Sequence, residues 1–494
     1  MSTFLPRFAT RLRPGTLAAM VLLLQLGGCA WIRHDPGQVA MINPQQAQLS
    51  QVIHLASDQW PDSSWWQRYQ DPQLTALINQ ALQNSPTVQA ARLRVEQSQA
   101  GVDLAHSFSG VQATAVAAQN RLRTTDRSFT WPYSFSLPQD RTGPWYTMNT
   151  VGVAGTLNLD LWGENRERVA AALGEKNAQL AETAMTEQTV AANVARLYFS
   201  VQAAWQRIAL LQQQLDISRF SLAAHQARVG RGLEDDVALA AAQSESLSAE
   251  QQLLSARTDL TTAREMLRAL VGAGPHGLPV ITPHPWPQVQ ETLPASLSYG
   301  LLSRRPDLQA MRGYVLASLS RVDAAKSAFY PHFDIKAFWG YNAFSVGDLF
   351  KYSFQQINLL PGLYLPLFDG GRLNANLQTA RTSSNILIKN YNQAVLDAVR
   401  DVAVSSQQLD SLDQQVDLQQ QKVVAAQTTA DSALAHYQRG LMSQYASREA
   451  QRAVLAQQLV LTDLKFQQIS TDISLIQALG GGYQSPLQAV PVND

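Results

Sequence analysis

Residues 81–107 and 301–327 align without a gap at an offset of 220. Eleven positions are identical, among them Leu82/Leu302, Pro86/Pro306, Arg92/Arg312, Val102/Val322 and Asp103/Asp323. The correspondence returns at an offset of 208: Arg231-Gly232-Leu233 answers Arg439-Gly440-Leu441, and Leu270-Val271-Gly272 answers Ala478-Leu479-Gly480. A unit this long is not one of the repeats of about 20–50 residues that stack into solenoids. It predicts two similar halves packed side by side, with structural features occurring in pairs.

Each half carries a long seven-residue rhythm. Val190, Val194, Leu197, Val201, Ala204, Ile208, Leu211 and Leu215 alternate at spacings of four and three. The second series runs from Tyr391 through Val395, Ala398, Val402, Leu409, Leu412, Val416, Val423, Ala426, Ala430 and Ala433 to Tyr437, broken only by Ser405 and Gln419. This is the seam of a coiled coil. No proline interrupts residues 164–229, so one helix of roughly 100 Å is expected there, with a counterpart over about 371–439. Two shorter helices, about 72–107 and 235–270, flank the first. Laid end to end they match its length.

The period switches to two in four places. Val151, Val153, Leu157, Leu159 and Leu161 share one face. Phe333, Ile335, Ala337, Trp339 and Tyr341 form a second stripe, and Ile357, Leu359, Leu363, Leu365 and Leu367 a third. Val111 to Ala117 is a weaker fourth. Strands are expected over approximately 109–121, 147–162, 331–342 and 354–368, each long enough to cross an outer membrane when tilted. Four strands cannot close a barrel alone, and an open edge in lipid is not viable. The expected solution is a barrel shared between subunits. The fold class is therefore mainly α, with duplicated coiled-coil helices and a four-strand β contribution.

Residues 1–28 have the form of a secretory signal, with Arg7, Arg11 and Arg13 ahead of an apolar run from Thr16 to Leu26. The run closes on Leu26-Gly27-Gly28-Cys29, which resembles a bacterial lipobox. Cys29 is the only cysteine and is the expected site of an N-acyl and a diacylglycerol lipid. Ala30, rather than Asp, resembles lipoproteins sorted to the outer membrane. The chain beyond has no cysteine for a disulfide and no apolar run long enough for a membrane helix. The 38 basic and 38 acidic residues balance, so no nucleic-acid partner is indicated. The expected organisation is a signal peptide (1–28), a lipid-anchored segment (29–71), a first repeat (72–272), a Pro/Gly/His-rich linker (273–294), a second repeat (295–482) and a tail (483–494).

Several motifs occur in a fixed order: the lipobox, Trp65-Trp66 ahead of Asp71-Pro72, Leu159-Asp160-Leu161-Trp162-Gly163, Arg304-Arg305-Pro306-Asp307-Leu308, Pro366-Leu367-Phe368-Asp369-Gly370-Gly371 and Leu479-Gly480-Gly481-Gly482. Together they cover nearly the whole mature chain and resemble the outer-membrane efflux factors of the TolC and NodT type. The resemblance implies a homotrimer with a twelve-stranded barrel in outer-membrane lipid and a helical tunnel below it. It implies a periplasmic adaptor and an inner-membrane pump as partners, and passive passage of drugs outward with no chemistry. Exit of a polypeptide in a type I secretion system is the alternative, since relatives serve both duties.

The resemblance also assigns residues. The turns Arg231, Gly232, Leu233 and Arg439, Gly440, Leu441 would receive adaptor hairpins. Tyr437, Tyr445, Glu449 and Arg452, with Asp235 and Asp236 as weaker candidates, match positions where relatives constrict the tunnel. Tyr445, Glu449 and Arg452 fall on one helical face. Asp235 and Asp236 equally fit a helix cap. Trp162, Gly163, Asp369, Gly370 and Gly371 mark strand-to-helix elbows. Two departures stand out: Tyr483 follows the last glycines where Trp is usual, and Glu449 stands where Asp is common. Gly272-Ala-Gly274-Pro-His-Gly277 spells a dinucleotide fingerprint, but it follows a helix and contains Pro275. No P-loop, nucleophile elbow or zinc-protease helix occurs, and the eight histidines show no metal spacing. An enzyme, a metal site and a cofactor are not expected.

Overall fold

A computed structural model of the chain describes residues 32, 35–42, 60–122, 145–289 and 304–484. Cys29 and residues 123–144 lie outside the described residues. A short 3-10 helix, Trp65–Tyr69, precedes α1 (Pro72–Asn84) and α2 (Pro86–Ser107). Then come β1 (Gln112–Leu122), β2 (Tyr146–Leu159), α3 (Glu164–Val229) and α4 (Asp236–Leu270). The second half repeats the order with α5 (Pro306–Ser327), β3 (His332–Ala343), β4 (Gln355–Tyr364), α6 (Arg372–Gln438) and α7 (Gln444–Ala478). Where periodicity predicts one helix over about 72–107, the chain breaks. Ser85 adopts an extended backbone (φ −62°, ψ 123°), because Pro86 excludes the helical region for the residue before it.

The described residues divide into two compact units: those within 1–40, 97–176 and 313–389, and those within 41–96, 177–312 and 390–494. Each draws on both sequence halves, as a duplication packed side by side requires.

The first unit holds a four-stranded antiparallel sheet in the order β1-β2-β3-β4. Its register aligns Val153 with Trp339 and Trp339 with Ile357, then Leu159 with Phe333 and Phe333 with Leu363. One face is thus apolar from strand to strand, and it is uncovered within the chain: Ile357 and Leu359 are each 70% exposed. The strands β1 and β4 lie at the sheet's two edges. β4 ends at Tyr364, ahead of Pro366, which has no N–H to donate. Val322 and Ala325 of α5 pack on Leu377 of α6 in a small helical core.

The second unit has the main core. Leu74, Leu77 and Ile78 of α1 meet Val190, Val194 and Tyr198 of α3, Leu267 of α4 and Ile469, Ile473 and Ile476 of α7. Trp65 packs edge-to-face on Trp66 and Tyr69, which seals this core. The seven-residue seam is interior: Val201, Leu211 and Leu215 on α3, and Val395, Ala398, Val402 and Leu409 on α6, are buried. Gln419, which breaks the rhythm, is buried too, and its amide donates to the Gln457 carbonyl and side chain at 2.9 Å. That bonding is what makes a polar residue tolerable there. Among the described residues no helix is long and apolar enough to cross a membrane.

Candidate functional site

The two Arg-Gly-Leu turns are built by the same hydrogen bonds, displaced by 208 residues. At the end of α3, Gly232 (φ +69°) donates to the Val229 carbonyl at 2.8 Å, and Leu233 donates back to Arg228 at 2.9 Å. At the end of α6, Gly440 (φ +74°) donates to Tyr437 at 2.8 Å, and Leu441 donates to His436 at 2.9 Å. This is a left-handed cap that satisfies the last helical carbonyls and reverses the chain. The helix that follows is capped in register as well. The Asp235 carboxylate accepts from the Ala238 N–H at 3.0 Å, and the Ser443 hydroxyl accepts from Ala446 at 3.2 Å. Asp236 is the first residue of α4, where its charge complements the positive helix end. Arg231 and Arg439 are exposed. Leu233 and Leu441 are 67% and 71% exposed, so each turn presents a cation beside an apolar tip.

Beside the turns the structure gathers a charged cluster. Arg452 contacts Glu449 at 3.2 Å on α7 and also reaches Glu245 on α4. His225 of α3 bonds to Glu234 at 2.7 Å, and its ring meets Tyr445 edge-on at 5.5 Å. Arg228 lies 3.8 Å from Glu234. Burial pushes the Glu449 carboxyl above its usual range, with the His225 charge acting the other way. Burial draws Arg452 below the usual arginine range. The Arg452 Nε is buried without a partner. Arg448 lies over the Phe220 ring at 5.0 Å.

Of the predicted constriction residues, Tyr445, Glu449 and Arg452 are brought together. Tyr437 projects from the last turn of α6, and Asp235 and Asp236 sit at the exposed start of α4. Sequence reasoning missed Glu245, His225 and Glu234. Their counterparts at the offset of 208 are Ala453, Ala433 and Met442, so the repeat carries no signal for them.

The elbows in the first unit share a device. Asp160 accepts from the Asn165 and Arg166 N–H groups at 3.1 and 2.9 Å, which starts α3. Asp369 accepts from Leu373 and Gly371 at 2.7 and 2.9 Å, which starts α6. These backbone donors hold the Asp369 carboxyl below its usual range. Trp162 donates from Nε1 to the Pro331 carbonyl at 2.8 Å and stacks on Tyr330. Gly163, Gly370 and Gly371 all have positive φ. Among the described residues no group of His, Cys, Asp or Glu is placed to hold a metal ion.

Residues 77–273 and 297–481 match the family model described as outer membrane efflux protein. The chain is 46% identical over 461 residues to the multidrug resistance outer membrane protein MdtP of Escherichia coli (strain K12), covering 93% of this chain and 94% of that protein. It is 36% identical over 474 residues to the multidrug resistance outer membrane protein MdtQ of Escherichia coli O157:H7, covering 95% and 98%. Among solved structures it is similar to the outer membrane protein VceC of Vibrio cholerae, with a TM-score of 0.74 and 29% identity over 86% of this chain and 100% of that one. The CmeC outer membrane channel of Campylobacter jejuni shares the fold, with a TM-score of 0.78 and 19% identity over 93% and 96%.

Proposed function

We propose that this chain, which belongs to the outer membrane efflux protein family, is the exit duct of a tripartite multidrug efflux system. Three copies close their four-stranded sheets into one barrel in the outer membrane, and the long helices line a tunnel through the periplasm. Drugs and other small toxic compounds enter from an inner-membrane pump through a periplasmic adaptor. The adaptor docks at the paired Arg-Gly-Leu turns. The cluster of Tyr445, Glu449 and Arg452 controls the entrance. The chain performs no chemistry, and a lipid on Cys29 adds a second hold on the membrane.

One observation carries this reading. The sheet has one face that is apolar from Val151 to Leu159 and across β3 and β4, exposed within the chain, and two edges that its own strands leave unpaired. Unpaired backbone in hydrocarbon costs several kcal/mol per group. Closure against other copies removes the edges and gives the apolar face to lipid.

The test is dye accumulation in cells stripped of their own outer-membrane channels. The cells express this chain with the adaptor and pump encoded beside it. Lower accumulation, lost on substitution of Gly440, is the expected result. Unchanged accumulation with the trimer present in the outer membrane would reject drug efflux and favour polypeptide secretion.

A further inference from the structure

The two Arg-Gly-Leu turns share their caps but not the titratable groups beside them. At the first turn stand His225 of α3, Glu234 of the turn itself and, from the second half of the chain, Glu449 of α7. Their counterparts at the offset of 208 are Ala433, Met442 and Ala241, so a turn of this kind folds without them. Their role rests on the reading of this cluster as the tunnel entrance.

Nδ1 of His225 lies 2.7 Å from Glu234 Oε2, and the two side chains are only 15% and 16% exposed. The carboxylate thus fixes the ring, which meets Tyr445 of α7 edge-on at 5.5 Å. Glu449 follows Tyr445 by one helical turn. Burial works against the ionised form of Glu449, and a positive charge on His225 works for it. Other charges surround the ring. Arg228, on the same helix, has Nε 3.8 Å from the same Glu234 oxygen. Arg448 of α7 lies over Phe220 of α3. Arg452 of α7 holds Glu449 and reaches Glu245 of α4. Asp235 and Asp236 are exposed at the start of α4. Arginines and solvated carboxylates keep their charge between about pH 5 and 8, whereas an imidazole exchanges its proton in that range.

We propose that His225 is a proton-operated clasp on the tunnel entrance: protonated, it is held by Glu234 of the first half and draws in Glu449 of the second; neutral, it lets α7 go. The ion pair of Arg452 with Glu245 ties the same two halves without regard to pH in this range. The clasp adds to that tie only while imidazolium and carboxylate are both charged. Its contribution is therefore present below the histidine range and lost as pH rises through that range. It is lost again in stronger acid, where Glu449 itself takes up a proton.

The experiment is single-channel recording of the full-length trimer in planar bilayers, with the same pH on both sides. Openings are expected to become rarer as pH falls from about 8 to about 5.5, by a factor on the order of ten. His225→Gln keeps a donor for Glu234 but has no proton to gain, so its openings stay at the parental alkaline frequency throughout. Glu449→Gln keeps the His225–Glu234 contact and removes what the charge acts on, so it too loses the pH response. A merely structural role for His225 would alter the frequency of opening and leave its pH profile as steep as before. A conducting parental trimer whose openings ignore pH in this range overturns the clasp, as does a parental profile in assembled His225→Gln. Should His225→Gln not assemble, a parental profile in Glu449→Gln overturns it. A trimer silent at every pH, both unsubstituted and with Glu449→Ala/Arg452→Ala, rejects the channel reading and the clasp together. A trimer silent at every pH until those two changes are made rejects the clasp alone.

Discussion

Arg452 on α7 reaches Glu245 on α4, so a residue of the second half grips a residue of the first. The same guanidinium holds Glu449 on its own helix at 3.2 Å. An ion pair within α7 alone would stiffen one helix. A pair between α4 and α7 ties two helices together beside the paired turns, which is what a latch at a tunnel entrance requires. Glu245 is about half exposed, so each contact contributes under about 1 kcal/mol. Losing it should not unfold the chain. Glu449→Ala with Arg452→Ala is expected to enlarge the closed-state conductance of the trimer in planar bilayers, and Glu245→Gln should reproduce part of the gain. Unchanged conductance in all of these variants would remove the latch.

Gly440 is the position where a side chain should separate docking from assembly. Its φ of +74° costs a non-glycine residue about 1–3 kcal/mol of backbone strain. No atom lies within 4 Å of a Cβ built there, so nothing in the chain needs to be displaced. Gly440→Val is therefore expected to leave an assembled trimer that no longer crosslinks to the adaptor. Wild-type crosslinking in that trimer would assign the turn a structural role only.

What was legible in the chain is what repeats locally. The seam from Val190 to Leu215 and the alternation from Phe333 to Tyr341 each follow a period imposed by one element's geometry. The Arg-Gly-Leu turns were legible because only a left-handed cap demands glycine at both copies. Long-range polar pairs were not. Tyr69 donates to Asp472 at 2.6 Å across 403 positions of chain, and no spacing rule joins them. Glu245 and His225 escaped for the same reason, and their repeat partners are alanines. The close approach of Gly152 and Gly340 needed the strand register, because the two are adjacent only once β2 and β3 are paired.

Asp35 gives a pH dependence with a definite sign. Its carboxylate accepts from Arg381 Nε and Nη2, both at 2.8 Å, and the Arg381 side chain is only 6% exposed. The Arg381 hydrogen bond holds Asp35 down at about 2, against an ordinary value of 3.8. A depressed acid contributes stability above its unfolded value and loses it as pH falls through the folded one. Residues 35–39, which also bond Asn385 through Gly37 and Val39, should stay on α6 at neutral pH and release as pH falls from about 4 toward 2. Hydrogen exchange of this segment against pH measures the release. Arg381→Gln should abolish the acid dependence. Release on raising the pH instead would contradict the sign.

Asp71 tests how the core is held together. Its side chain caps α1 through the Gln73 and Leu74 N–H groups at 2.8 and 3.2 Å, and the Tyr198 hydroxyl donates to its other oxygen. Both residues are buried. Burial, then the hydrogen bond to Asp71, raises Tyr198 far above the ordinary tyrosine range, so the hydroxyl remains a donor at every working pH. Tyr198→Phe removes that donor and leaves the carboxylate its two backbone partners and His284 at 3.6 Å, at a cost of about 1–3 kcal/mol. Asp71→Ala loses the cap as well, roughly 1 kcal/mol more, and leaves the Tyr198 hydroxyl without its acceptor, with Gln202 as its remaining polar neighbour. The two changes remove one shared bond, so the double variant Tyr198→Phe/Asp71→Ala should be less destabilised than the sum of the single ones. Denaturant unfolding of the four proteins measures this coupling. Strict additivity would mean that the hydroxyl and the carboxylate stabilise the core independently, and that the cap alone accounts for Asp71.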